Sequence, residues 1–101
     1  MLENVELNKD KKRIFKVIAA NNNTTMKSLI LDEVNDIITH NISVPSSVRE
    51  AEEDRTSLII DIPANIKDNI KTYTYSNNLK IRDLWVFCVD RILERYDNVQ
   101  N

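Results

Sequence analysis

Glycine is absent from the 101-residue chain, and proline occurs only twice. Without glycine, the chain cannot form the glycine-rich loops that cradle phosphates in many nucleotide-binding enzymes. A tight turn between helices must instead use another residue that tolerates the left-handed backbone conformation, and asparagine tolerates it better than most other residue types. We therefore expect asparagine to mark the turns.

Cysteine and histidine occur once each, as Cys88 and His40. A single cysteine excludes a disulfide within the chain and favours a reducing, intracellular setting, so the expected location is the cytoplasm. One residue of each type is too few for a zinc site with the usual three or four protein ligands. Cys88 lies in the apolar sequence WVFCV without a neighbouring histidine, and we expect it to be buried rather than nucleophilic. No metal or cofactor is expected.

Long apolar runs are missing as well. No stretch approaches the roughly 20 residues that cross a membrane, and the N-terminal MLENVELNKD lacks the apolar core of a signal peptide. The chain is 42% hydrophobic and 30% charged, as is typical of one globular domain or of two small repeats around a shared core. Its net charge of −2 lacks the basic excess that nucleic-acid-binding proteins commonly carry.

Helical apolar spacing occurs on both sides of the asparagine run in KVIAANNNTTMKSLI. The spacing predicts a helix over about Lys9–Asn21, capped by Asn8, and a longer helix over about Thr25–His40. Asn22 or Asn23 is expected to adopt the left-handed conformation between them.

The same pattern recurs 55 positions later without a gap. SNNLKIRDL in the second half matches NNNTTMKSL in the first, which places Leu84 on Leu29 and Val89 on Val34. A second long helix is therefore predicted over about Lys80–Tyr96. We interpret the chain as a duplication of a unit of about 40 residues.

Each unit begins with a short segment in which apolar residues alternate with others. The residues expected to point inward are Val5, Leu7, Leu58, Ile60 and Ile62. Those expected to point outward are Leu2, Asn4, Glu6, Ser57, Ile59 and Asp61. A single strand would leave its backbone groups unpaired, so we expect the two strands to form an antiparallel ribbon.

The predicted fold class is mainly α with a short two-stranded antiparallel ribbon, in the order strand, helix, helix, twice over. The first unit covers residues 1–40 and the second covers residues 56–101. Residues 41–55, NISVPSSVREAEEDR, contain a proline, serines and an acidic cluster and are interpreted as a linker. Fully extended, this linker could reach roughly 50 Å, enough to cross a small domain.

This order of elements resembles the ribbon-helix-helix family of MetJ, Arc and CopG. The matching segments are NVELN with FKVIAANNNTTMKSLI, and LIIDIP with IKTYTYSNNLKIRDLW. The tandem arrangement, with two units forming a pseudo-dimer, also resembles some small regulators of archaeal viruses. The resemblance implies a sequence-specific double-stranded-DNA-binding transcriptional regulator whose ribbon lies in the major groove.

The resemblance also implies roles by position. The six outward strand residues would contact base edges. The start of each longer helix would hold a DNA phosphate, because its N–H groups and positive dipole end favour an anion. The residues expected at phosphates, there and nearby, are Lys9, Lys11, Lys12, Thr24, Thr25, Lys27, Arg55, Leu79, Lys80 and Arg82.

Two acids, Glu6 and Asp61, and two apolar residues, Leu2 and Ile59, depart from the family pattern, in which outward residues are typically basic or uncharged and polar. Apolar groups can meet the methyl group of thymine. A carboxylate can accept a hydrogen bond from cytosine N4, but it opposes binding wherever it lies near a phosphate. These acids favour an alternative hypothesis, a protein-interaction or antitoxin-like module that keeps the fold without reading DNA.

A third hypothesis is a conventional helix-turn-helix protein, because Ala19, Asn23 and Leu29 fit the small, turn and apolar positions of that motif. It would need a third supporting helix in each unit, where the sequence predicts a strand. An enzyme is not expected, because no nucleophile–base pair or set of metal ligands is recognisable by spacing. The expected partner is double-stranded DNA. Pairing of the units within one chain, pairing between two chains, and further homo-oligomerisation all stay open.

Overall fold

The computed structural model describes residues 1–49 and 51–100. The described residues form two strands, four α-helices and one short 3-10 helix: β1 (Leu2–Asn8), α1 (Lys9–Asn21), α2 (Met26–Thr39), the 3-10 helix (Glu52–Asp54), β2 (Arg55–Asp61), α3 (Ala64–Ser76) and α4 (Ile81–Gln100). The prediction of a mainly helical fold with a two-stranded antiparallel sheet is confirmed. Among these helices, none combines the length and the apolar character that crossing a membrane requires.

The elements of the two halves begin at equivalent positions. Helix α3 lies 55 positions after α1 at both ends, and α4 begins 55 positions after α2. The predicted bounds of α1 are confirmed, and Asn8 caps this helix by accepting hydrogen bonds from the amides of Asp10 (2.8 Å) and Lys11 (3.3 Å). Helix α4 continues beyond the predicted end at Tyr96.

Asparagine at positive φ follows the first three helices, as expected for a chain without glycine. The residues are Asn23 (54°), Asn41 (49°) and Asn78 (53°). After α1, the amide of Thr24 donates to the carbonyl of Ala19 at 3.0 Å, and after α3 the amide of Leu79 donates to the carbonyl of Thr74 at 2.8 Å. These are bonds of the Schellman motif, with asparagine where glycine is usual.

Strands β1 and β2 pair antiparallel from Leu2–Asp61 to Asn8–Arg55. Asn4 lies opposite Ile59, which is the residue 55 positions after it, so equivalent positions of the two halves meet at the centre of the ribbon. The predicted alternation is confirmed. The buried side chains are Val5, Leu7, Leu58, Ile60 and Ile62.

One core contains side chains from both halves and lies between the ribbon and the helices. Phe15 and Trp85 are its largest members, at 0% and 2% exposed. Burying a large apolar side chain contributes roughly 1.5–3 kcal/mol. Cys88 is buried as expected, and burial raises the pKa of its thiol, so the protonated, unreactive form is favoured. Because the apolar faces meet in one core, each half completes the other.

Glu33 on α2 is a carboxylate within this core, at 1% exposed. Two arginines of α4 neutralise it. Arg95 Nη2 donates to both of its oxygens at 2.9 Å, and Arg91 Nε lies 3.2 Å from Oε1. A buried carboxylate needs such partners, because an uncompensated charge in the core is strongly destabilising.

Residues 42–47, which follow α2, pack against the second half of the molecule. The Tyr73 hydroxyl donates to the carbonyl of Ile42, and the side chain of Val44 is buried. Further along, the amide and the hydroxyl of Ser47 donate to Oδ1 of Asp83 at 2.9 and 2.8 Å. This segment therefore brings polar side chains to the start of α4.

Candidate nucleic-acid interface

The six residues predicted to contact bases share one face of the ribbon. We call this the outer ribbon face; it consists of Leu2, Asn4, Glu6, Ser57, Ile59 and Asp61. They form three directly opposed pairs, which are Leu2–Asp61, Asn4–Ile59 and Glu6–Ser57. Side chains opposed in this way lie about 5 Å apart, and a two-stranded ribbon fits the major groove. Their common placement follows from the period-two alternation of a strand.

Glu6 on this face is neutralised by an arginine from the linker. Arg49 donates from Nε to Oε1 of Glu6 at 2.9 Å and from Nη2 to Oε2 at 3.1 Å. Nη1 of Arg55 lies 3.7 Å from Oε1. The hydrogen bond from Arg49, together with the charges of Arg49, Arg55 and Arg82, holds the pKa of Glu6 below its ordinary value. The repulsion expected between this acid and DNA is therefore offset within the protein.

Asp61 lies at the opposite end of the outer ribbon face. The Met1 amino group donates to Oδ1 of Asp61 at 2.7 Å. This hydrogen bond and the charge of the amino group hold the pKa of Asp61 below its ordinary value, and the charge of Lys27 adds to the effect. Lys27 belongs to the first turn of α2, so the start of α2 lies close to this end of the face.

Two apolar side chains of the outer ribbon face are exposed to solvent. Leu2 is 75% exposed and Ile59 is 65% exposed. Apolar groups on a groove-binding surface can contact the methyl group of thymine. Beside Ile59, the side-chain amide of Asn4 supplies the hydrogen-bond donor and acceptor that match those of adenine.

The start of α2 carries no acidic residue. Oγ1 of Thr25, the residue before the helix, accepts a hydrogen bond from the amide of Ser28 at 3.0 Å. The amides of Met26 and Lys27 have no acceptor within the helix, and the first turn contains no acid. Helix dipole, amides and the Lys27 ammonium together favour an anion at this point.

The start of α4 is already filled by Asp83. Its Oδ2 accepts from the amide of Lys80 at 3.1 Å, and its Oδ1 accepts both hydrogen bonds from Ser47. Burial alone would raise the pKa of this carboxyl, but the hydrogen bonds from Ser47 and Lys80 outweigh burial and leave the pKa below its ordinary value. A phosphate at this helix start would have to compete with the carboxylate.

An open depression of about 190 Å³ joins the start of α4 to the outer ribbon face. Its lining residues are Asn4, Glu6, Arg49, Ile81, Arg82 and Trp85. Arg82, predicted at a phosphate, is half-buried there, whereas Lys80 is exposed. The first turn of α4 therefore lies beside β1.

Two residues predicted at phosphates have amides that are occupied within the chain. The amides of Thr24 and Leu79 donate to the ends of α1 and α3, respectively. Leu79 is also partly buried against the core. In this conformation these amides cannot hold a phosphate, because the Schellman bonds use them. At α2, the amides without a partner in the helix come slightly later, at Met26 and Lys27.

The predicted lysines of α1 have different surroundings. Nζ of Lys12 donates to the carbonyl of Ser57 at 2.7 Å, which places it at one end of the outer ribbon face. Nζ of Lys11 lies 2.7 Å from Oδ1 of Asp90, so its charge is offset. Lys9 is exposed at the first position of the helix.

Comparison of the chain with protein-family models, curated proteins and solved structures found no match. Functional roles are therefore proposed below from the surface of the protein. Within the described residues, no group of three or more His, Cys, Asp and Glu side chains is arranged to hold a metal ion.

Sequence reasoning missed Ser47, Arg49 and Asp83. Ser47 and Arg49 belong to a segment without periodicity, so nothing in the pattern indicates which residues they contact. Asp83 did carry a signal, because it is the third residue of α4. An acid at the third position of a helix often accepts a hydrogen bond from the backbone N–H of the residue just before the helix. That signal predicts an occupied helix start.

Proposed function

We propose that the protein is a sequence-specific, double-stranded-DNA-binding transcriptional regulator folded as a tandem ribbon-helix-helix pseudo-dimer. One observation carries the proposal: a helix start flanks each end of the outer ribbon face. Arg82, in the first turn of α4, lines the same depression as Glu6. Lys27 holds the equivalent position in the first turn of α2, and its charge contributes to the lowered pKa of Asp61, the equivalent of Glu6. The two pairs occupy equivalent positions, 55 residues apart.

In the proposed complex, the outer ribbon face enters the major groove. The Asn4 amide and the apolar side chains of Leu2 and Ile59 supply base contacts. The start of α2, with Lys27, holds a backbone phosphate and sets the register of the ribbon. Since both strands belong to one chain and differ in sequence, the DNA site need not be a perfect palindrome.

The net charge of −2 is compatible with this function because the two acids of the outer ribbon face are paired. Arg49 occupies Glu6, and the Met1 amino group occupies Asp61. Lys9, Lys12 and Lys27 supply positive charge around the ribbon. We expect a modest number of phosphate contacts and hence a modest dependence of affinity on salt.

Selection from a pool of random double-stranded DNA tests the proposal. After several rounds of gel-shift selection, we expect a common short motif. The log of its affinity should fall against the log of salt concentration with a slope of about −0.9 per phosphate contact. Lys27→Glu should recover less DNA in the same selection. If the wild-type protein retains no DNA even at low salt, the proposed function is wrong.

A second candidate function is a protein-interaction module. It is favoured by the exposure of Leu2 and Ile59 on one face of a ribbon, because exposed apolar groups grouped on one surface often contact a protein partner. Failure of the DNA selection, together with an intact fold, would favour this candidate.

A further inference from the structure

We infer that Arg49, held in place by Glu6, reads a guanine in the major groove. This inference rests on the proposed function. It assigns base recognition to a linker residue, and it makes Glu6 a positioning residue rather than a base contact.

Arg49 contacts the outer ribbon face. Its guanidinium binds Glu6, a member of the outer ribbon face, and its side chain is 57% exposed. It also lines the depression that contains Asn4. Arg49 therefore reaches the surface proposed to face the DNA bases, although it belongs to neither strand.

The Arg49–Glu6 pair uses only one edge of the guanidinium. A guanidinium has five N–H donors in a rigid planar fork. Glu6 accepts from Nε and Nη2, which form one edge of that plane. The other edge, formed by N–H groups of Nη1 and Nη2, makes no hydrogen bond to a described residue. Those two parallel donors match the O6 and N7 acceptors of guanine.

Glu6 holds the guanidinium of Arg49 in one orientation. An isolated surface arginine loses considerable rotamer freedom when it binds. A bidentate carboxylate fixes the guanidinium before DNA arrives, and this preorganisation reduces the cost of ordering. The second half has no counterpart among the described residues, because Asp61, the equivalent of Glu6, binds the Met1 amino group instead. Guanine reading is therefore assigned to one side of the DNA site.

The test uses the selected duplex and a panel of its single-base-pair variants, with affinities measured by competition. Arg49→Ala should abolish the preference for G·C at one position, where wild-type discrimination is expected to be on the order of 5- to 150-fold. Arg49→Lys should weaken it, because one ammonium cannot hold both oxygens of Glu6 and at the same time present a rigid pair of parallel donors to guanine. Arg13→Ala is the matched control; this arginine is exposed on α1 and should leave every base preference unchanged.

Glu6 variants separate positioning from simple structural support. Glu6→Ala should weaken the same G·C preference, Glu6→Gln should retain part of it, and the Glu6→Ala/Arg49→Ala double variant should lose no more than Arg49→Ala alone. Unchanged preferences in Arg49→Ala, or an equal loss on all sequences as for a phosphate contact, would overturn the inference while the proposed function stands. A wild-type protein that binds no duplex would overturn both.

Discussion

The starts of α2 and α4 occupy equivalent positions in the two halves, yet their chemistry differs. Both follow a turn with asparagine at positive φ, at Asn23 and Asn78. At α2 the third helical residue is Ser28, and the first turn has no acid. At α4 the equivalent residue is Asp83, which fills the helix start with its own carboxylate.

The backbone of the repeat and its capacity to bind an anion are therefore separable. The bounds of α1 and α3, the turn that follows each of them and the starts of α2 and α4 coincide at an offset of 55 residues, whereas one side chain decides whether a helix start is open. The linker strengthens the contrast because Ser47 binds only the second start. We therefore expect DNA contacts to be unequal in the two halves.

The largest expected effect comes from removing the acid at the second start. Asp83→Ala leaves the partly buried donors of Ser47 and Lys80 without their acceptor, and it should lower the free energy of unfolding by about 2–3 kcal/mol. Ser28→Ala, at the equivalent position of α2, should cost less than about 1 kcal/mol because Ser28 is exposed. Urea denaturation of both variants measures the difference. Equal losses would mean that the two starts do not differ as described.

The loss of folding stability at acid pH should depend on Asp83 as well. The pKa of Asp83 is lower in the folded protein than in the unfolded chain, so its stabilisation is fully present above the unfolded value of about 4. It is lost as the pH falls through the folded pKa, and Glu6 acts in the same direction. Compared with the wild type, Asp83→Ala should lose less stability between about pH 5 and pH 2. Parallel pH profiles from urea denaturation would argue against this role.

For DNA binding, the first start should matter more than the second. Lys27→Ala should reduce the magnitude of the salt slope by about 0.9, the value for one phosphate contact. Lys80→Ala should change it less, because Asp83 lies at that helix start and opposes an anion. Fluorescence anisotropy at several salt concentrations gives both slopes. A larger change for Lys80→Ala would reverse the proposed asymmetry.

The smallest effects are expected at the centre of the ribbon, where equivalent residues face each other as Asn4 and Ile59. Asn4→Ala should relax the preference at an A·T pair by about 1 kcal/mol, the low end for a base contact, and Ile59→Ala should cost less, through a lost thymine contact. Affinities for the single-base-pair panel measure both. Losses that are equal on every sequence would show that neither residue reads bases.

Periodic and local patterns made much of the fold predictable. The spacing of apolar residues gave the bounds of α1, and the glycine-free turn predicted asparagine in the left-handed region. The alternation of apolar residues with others in each strand predicted which residues share the outer ribbon face. Each of these signals lies within a few residues of the structure that it predicts.

The long-range polar pairs could not be predicted in the same way. Arg49 and Glu6 are 43 positions apart, and Ser47 and Asp83 are 36 apart, without a pattern that joins them. Consequently, Glu6 looked like an unpaired acid that opposes DNA. The sequence showed the acid but could not show its partner, because partner choice depends on the path of the linker over α4.

Chemical-shift mapping is the most direct test of the central claim, which is that the outer ribbon face and the start of α2 form the DNA-binding surface. The selected duplex would be titrated into ¹⁵N-labelled protein. We expect the largest amide shifts at Asn4, Ile59, Met26 and Lys27, with smaller shifts at Ile81. Shifts confined to α3 and the second half of α4, with the ribbon unchanged, would contradict it.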